Sequence, residues 1–290
     1  MHQTRALAFI LATTCSAAQA DDACPVRVEA IVGPQQTRVM VSDEMGAEEA
    51  MLDPGESALG DAFVEALKTD GACVTMEIGG GATSRRIADA AAALLPGDDG
   101  TADVPAEGSL APGTYDIAAD DTAERLFDAM QVRQAEVLDR AWADRADDLP
   151  IATKGEALVL ASLVSKEAMS DDERAQIAAV FVNRLRDGMA LQSDPTVTYG
   201  ASDGTGILPD GLTEEDYGTE TPWNTYLIEG LPKTPIANPS EADIIAGLNP
   251  ADSDMLYFAA DGEGGHRFAA TAEEHEENVV AWQNAVHTSN

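Results

Sequence analysis

Between residues 154 and 188, apolar side chains fall twice into rows that only a helix gathers on one face. Leu160, Leu163 and Val164 stand seven, four and three positions before Glu167, and those spacings share one side of a 3.6-residue period. Ile177, Val180, Phe181 and Leu185 make a second stripe. The pattern predicts helices over 154–169 and 172–187, with Asp171 as N-cap and Gly188 as the stop. With its turn at Ser170-Asp171, the pair folds back as a helical hairpin. The first row ends in a carboxylate on the face that must be buried. Glu167 is then either a buried glutamate satisfied by a neighbour such as Arg184 or Asn183, or a general acid whose pKa is raised by desolvation. Lys166 points about 100° away round the helix and need not neutralise it.

Charge narrows the partners. The 290 residues include 52 acidic and 17 basic side chains, a formal net charge of −35, against 44% hydrophobic residues. That hydrophobic share allows a real core and excludes wholesale disorder. The acid excess runs along the whole chain, as a solubility or salt adaptation would. It disfavours nucleic acid and anionic membrane surfaces as partners. Aromatic residues at 5% leave few platforms for carbohydrate stacking.

Residues 1–20 read as an export signal: Arg5 as the basic region, Ala6 to Leu11 as the apolar core, and Ala18-Gln19-Ala20 as the cleavage site. The apolar stretch is shorter than the roughly 20 residues of a membrane span. A periplasmic location is expected, with inner-membrane anchoring through an uncleaved N-terminus as the alternative. Loss of Cys15 leaves Cys24 and Cys73, an even pair that in an oxidising compartment predicts one structural disulfide. Such a bridge is worth roughly 4 kcal/mol in the chain-entropy description.

Along residues 21–105, Val26 to Val32 reads as a strand, Ser57 to Lys68 as a helix and Val74 to Ile78 as a strand. Gly79-Gly80-Gly81 makes a turn, since no Lys-Ser or Lys-Thr follows to form a phosphate loop. A helix starts near Thr83 and stops at Pro96-Gly97. The polar linker after it suggests a domain boundary at 105/106. Beyond it come an extended segment over 110–117 and a helix over 119–146 with Leu126, Met130, Val137, Leu138 and Trp142 as core face. Past the hairpin, residues 191–200 read as a polar loop ordered by Pro195. A proline-rich irregular loop follows over 230–239, then a short helix capped by Ser240 and ending at Gly247. Strands over 255–260 and 266–270 flank a hairpin turn, and a last helix covers 272–286. No internal repeat is seen.

From residue 106 on, these segments carry a resemblance. Leu160 to Glu167, Ile177 to Leu185, Leu191-Gln-Ser-Asp-Pro-Thr196 with Tyr199-Gly200, Trp223-Asn-Thr-Tyr226, Gly230-Leu-Pro232, Pro235-Ile-Ala-Asn-Pro239, Tyr257-Phe258 and Asp261-Gly-Glu-Gly-Gly-His266 occur in the order seen in the YceG-like endolytic murein transglycosylases. His275 in the final helix fits too, and Glu107 to Tyr115 resembles the family's lead-in. The ordered match covers about residues 106–284. The part before it, with Val74 to Leu95, resembles a degenerate LysM-like module. The resemblance implies an α+β protein: after the signal peptide read above over 1–20, a small N-terminal LysM-like α+β module over 21–105 and a larger α+β catalytic domain over 106–290 with a central helical hairpin and short strands.

The implied activity is cleavage of the bond between N-acetylmuramic acid and N-acetylglucosamine within peptidoglycan glycan strands, leaving 1,6-anhydro ends. The family's catalytic glutamate falls on Glu167. It would protonate the departing oxygen and then accept the proton of the sugar's own C6 hydroxyl, so a partner aspartate is not required. Gln192, Asp194, Asn224 and Tyr226, with Asn183 as a lesser candidate, are expected around the sugar; for each, a loop-stabilising hydrogen bond is the competing role. His266 is either a site residue or a polar group of the hairpin. His266 and His275 lack metal-ligand spacing, so neither metal nor cofactor is expected. Partners would be glycan strands and, further off, cell-wall synthesis proteins. A non-catalytic periplasmic glycan-binding or scaffold protein on the same fold is the alternative. The chain departs from the family at Ser165, where an acid is usual, at Ala168, where a hydroxyl is usual, and at Trp223, where tyrosine is usual.

Overall fold

The computed structural model describes residues 26–43, 46–52, 73–95 and 103–288. The expected signal segment, Cys24 and the helix over 57–68 lie outside them. Among the described residues, two sheets and eight α-helices make an α+β arrangement.

Val28, Ala30 and Val32 alternate inward along β1 (Val26–Val32), and Val74, Met76 and Ile78 do the same along β4 (Cys73–Ile78). The two run parallel, Val28 opposite Val74. β2 (Thr37–Asp43) and β3 (Gly46–Leu52) extend the sheet antiparallel on one side and β5 (Gly113–Asp116) on the other, giving the order β3-β2-β1-β4-β5. Helix α1 (Ser84–Leu94), capped by the Thr83 hydroxyl, packs Ile87, Ala91 and Leu94 into the same core. Cys73 is disulfide-bonded.

The expected boundary at 105/106 does not part the core. β5 pairs with β4 through Met76–Tyr115 and Ile78–Gly113, and Leu110, Ile117, Leu126, Phe127 and Met130 complete the apolar cluster under the sheet. Helix α2 (Ala123–Ala143) bridges the two regions. Its first turns serve that cluster, while Val137, Leu138 and Ala141 pack on Ala157, Ala161, Ile244 and Leu248.

The hairpin forms as its spacing predicts, from α3 (Lys154–Glu167) and α4 (Arg174–Asp187). Thr153 and Glu156 close a capping box at the start of α3. Gly188 ends α4 with φ 68°, a left-handed cap that glycine takes without a Cβ penalty. Asp171 is not the N-cap of α4: it opens a 3-10 turn over Asp171–Glu173, and its carboxylate pairs with Arg174 instead. Helix α5 (Asp194–Ala201) replaces the loop expected there. Pro195 lies in its first turn, where the missing N–H has no helical partner to lose. The short α6 (Glu214–Gly218) follows, then α7 (Glu241–Leu248) with Ser240 as its cap, a hairpin of β6 (Tyr257–Ala260) and β7 (His266–Ala269), and α8 (Ala272–Thr288). Among the described residues no helix is long and apolar enough to cross a membrane.

The sheet region is pinned to the hairpin region by Asn238. Its side-chain oxygen accepts from Leu110 N at 2.9 Å, and its amide donates to Ala82 O at 3.1 Å and to Glu107 Oε1 at 3.2 Å. Gly108 lies at the same seam. Its φ is 82°, and a Cβ there would stand 2.6 Å from the Pro235 ring, so only glycine fits.

Candidate active site

Glu167 is the last residue of α3, where the helix stops against the loop before α5. Ser193 Oγ donates to Glu167 Oε1 at 2.6 Å. Ser193 is itself held from outside: Thr225 Oγ1 accepts its N–H at 3.0 Å, and Thr196 Oγ1 donates to its carbonyl at 2.6 Å. The two threonine hydroxyls lie 2.9 Å apart and fully buried. This knot joins α5 to the 221–226 loop and presents one donor to the acid. Burial pushes the Glu167 carboxyl above the ordinary glutamate value of 4.5; the Ser193 bond opposes this, and the Asp194 charge adds to it. Arg184 and Asn183 are not its partners. Arg184 donates to the carbonyls of Ala190, Leu191 and Leu256, and Asn183 to those of Ser253 and Met255.

Glu167 opens onto a cleft of about 410 Å³ whose walls include Gln192, Asp194, Tyr226, Tyr257, Phe258 and His275. Of the residues expected around a sugar, the structure therefore brings Gln192, Asp194 and Tyr226 to the acid. Gln192 has φ 48°, a left-handed conformation that costs a non-glycine residue free energy and turns its side chain out of the buried loop. Tyr226 Oη donates to Asp194 Oδ1 at 2.6 Å.

The other three are not part of the cleft wall, although the His266 charge still reaches Glu167. Asn224 is fully buried; its amide donates to the carbonyls of Asp216, Tyr217 and Thr219, and its oxygen accepts from Tyr226 N. It borders a different pocket of about 310 Å³, with Val197, Gly200 and Thr221. Asn183 ties α4 to the strand lead-in through the two carbonyls named above. His266 is only 6% exposed at its side chain and bonds Glu173 twice, through N at 2.6 Å and Nδ1 at 3.1 Å. It fastens the β6–β7 hairpin to the turn before α4, between the rings of Phe258 and Phe268.

Tyr257 and His275 line the cleft without having been singled out as site residues. Their rings stack 5.2 Å apart at 21°, and the Arg184 guanidinium lies 5.0 Å over the Tyr257 ring. Burial, then the Arg184 charge, pushes the His275 imidazole below its usual value, so it is neutral at physiological pH. The available signal was scarcity: the chain has four histidines and five tyrosines, and this loop-rich half gathers most of them.

Chemically, the cleft offers a shielded acid, a carboxylate beside it, phenol and amide groups, and an aromatic wall. Among the described residues no group of three or more His, Cys, Asp and Glu side chains is arranged to hold a metal ion. The set suits general acid–base work on a neutral, hydroxyl-rich substrate.

Residues 49–281 match the YceG-like family. An endolytic murein transglycosylase from Bacillus subtilis is 36% identical over 172 residues, 59% of this chain and 46% of that protein. One from Streptococcus pneumoniae is 36% identical over 197 residues, 66% of this chain and 35% of that protein. The matched segment thus spans less than half the length of these relatives. A crystal structure of a YceG-like protein from Listeria monocytogenes is similar with a TM-score of 0.60 and 27% identity, covering 79% of this chain and 83% of that one.

Proposed function

Because this chain belongs to the YceG-like family, we propose that it is an endolytic peptidoglycan lytic transglycosylase with Glu167 as its acid. The observation that carries this reading is the setting of Glu167: burial favours the protonated form, one side is held by Ser193, and the other faces a cleft with aromatic and polar walls. In the reaction Glu167 protonates the oxygen leaving C1 of N-acetylmuramic acid. The carboxylate then takes the proton of the C6 hydroxyl as that oxygen closes on C1. No water enters, and a 1,6-anhydro end results. Gln192, Tyr257 and His275 would hold the sugar. Ser165, Ala168 and Trp223 depart from the family pattern without removing the acid. Trp223 packs edge-on against Tyr199 at 5.3 Å and donates through Nε1 to Thr234 at 2.8 Å, so it is part of the scaffold.

Digestion of purified sacculi, with mass analysis of the released ends, tests the reading. Anhydro ends are expected. Reducing ends would indicate a hydrolase, and no release would favour a glycan-binding scaffold.

The finer readings belong to the same proposal. Residues 1–20 direct export to the periplasm, Cys24 is the disulfide partner of Cys73, and residues 21–105 include a LysM-like glycan-binding element. Support for that element is the residue resemblance over Val74 to Leu95, where a strand passes through the Gly79-Gly80-Gly81 turn into a helix. Cell-wall synthesis proteins are the proposed further partners. Intact-mass analysis of the exported protein, with and without reductant, checks the cleavage after Ala20 and the bridge.

A further inference from the structure

The cleft holds a second carboxylate in a defined setting. Asp194 opens α5 and is exposed to the cleft. Tyr226 Oη donates to its Oδ1 at 2.6 Å, and the Tyr217 phenol lies near enough to feel the same charge. The two phenol rings meet edge to face at 5.1 Å and 82°, so each fixes the other. Burial, then the contact with Asp194, pushes both phenols up, Tyr217 to about 12, so both remain protonated donors at working pH. The Asp194 charge also reaches Glu167 and favours its protonated form. A single-acid reaction has no evident need of this carboxylate, yet the fold commits one tyrosine to it and a second to that tyrosine's ring.

We propose that Asp194 is a second catalytic residue: an anion held by Tyr226, whose ring Tyr217 buttresses, that lies against the sugar and stabilises the positive charge growing at C1. The inference rests on the lytic transglycosylase reading. In the step, the bond from C1 to the leaving oxygen breaks with its electron pair on that oxygen, which receives the Glu167 proton. A lone pair of the C6 oxygen forms the new bond to C1, and the C6 hydroxyl proton passes to the Glu167 carboxylate. Asp194 forms no bond and moves no proton. It stabilises charge that exists only near the transition state, the most effective place for a fixed charge in a shielded cleft.

The test is Asp194→Asn, assayed for anhydro-end release from sacculi between about pH 5 and pH 9, with wild type and Glu167→Gln alongside. The groups acting on Glu167 are Ser193, Asp194, His266 and Lys166, and only Asp194 changes. We expect kcat to fall about a hundredfold with KM little altered. The alkaline limb of the remaining activity should move to lower pH, because Glu167 loses the neighbour that helps keep its proton. Tyr226→Phe, which keeps the ring but drops the donor, should lower kcat about tenfold. Wild-type kcat in Asp194→Asn, or a loss confined to KM with an unmoved limb, overturns the proposal. If Asp194→Asn does not fold, unchanged kcat in Tyr226→Phe overturns it, and a fall in kcat without a change in KM upholds it. A wild type that releases no anhydro ends defeats the underlying reading and this inference with it; an active wild type with an unaffected Asp194→Asn defeats the inference alone.

Discussion

Glu107, at the seam between the sheet and the hairpin region, and Glu167, in the cleft, are both pushed up by burial, but their oxygens are used differently. Glu107 Oε1 accepts from Ser84 N at 2.8 Å and from Asn238 Nδ2 at 3.2 Å, and Oε2 from the Tyr199 hydroxyl at 3.1 Å. Burial still carries its carboxyl to about 7. Glu167 has the Ser193 hydroxyl on Oε1 and a cleft in front of it. Burial alone therefore does not mark a working acid. An acid whose lone pairs are claimed by the fold holds elements together, whereas one with lone pairs free and a path to solvent can exchange a proton with a substrate.

The largest expected effect is at the cleft. Glu167→Gln keeps shape and hydrogen bonding but has no proton to give, so activity should drop at least about a hundredfold. Thermal melting should show the fold intact. Substantial residual turnover would break the contrast by making the cleft glutamate as dispensable as the seam one.

At the seam the effect should be on stability. Glu107→Ala leaves the Ser84 N–H and the Tyr199 hydroxyl without their acceptor and takes one of several from the Asn238 amide, a loss of roughly 1–3 kcal/mol by denaturant titration. Glu107→Gln sharpens the comparison through pH. The folded-state value of Glu107 is about 7 against an ordinary 4.5, so the native chain holds this proton after the unfolded chain has lost it. Its contribution to stability is fully present below about pH 4.5 and is lost as pH rises to about 7. Glutamine does not titrate. The variant should therefore gain on wild type across that window by about 3 kcal/mol, measured at matched salt so that the −35 background largely cancels. A flat difference between the two proteins would contradict the buried-carboxyl description.

Ser193→Ala should have the smallest effect. Its hydroxyl favours the charged form of Glu167, so removing it raises the acid's pKa further and moves the alkaline limb of activity to higher pH, opposite to Asp194→Asn. The pH–rate profile reads that sign directly.

Local periodicity carried the hairpin, and with it Glu167, since the row Leu160, Leu163, Val164, Glu167 needs no knowledge of distant residues. The role of Glu107 could not be read that way. Its partners stand 23, 92 and 131 positions away, and nothing near Glu107 reveals them. β5 belongs to the first sheet for the same long-range reason, which is why composition placed a boundary where the core continues. α5 was obscured by Pro195, a helix breaker in the interior but compatible with a first turn. Asn224 and Asn183 have the chemistry of sugar-binding residues, and only packing shows that backbone carbonyls already take their donors. The pairing of His275 with Tyr257 joins a helix to a strand across a hairpin and left no spacing to read.

The most direct measurement sets three proteins against sacculi under identical conditions: wild type, Glu167→Gln and Glu107→Gln, with mass analysis of the released glycan ends. Anhydro ends should appear with wild type and, within a few-fold, with Glu107→Gln, and be lost with Glu167→Gln. Release by Glu167→Gln near the wild-type level, or its loss in a folded Glu107→Gln, would contradict the division between a cleft glutamate that works and a seam glutamate that holds.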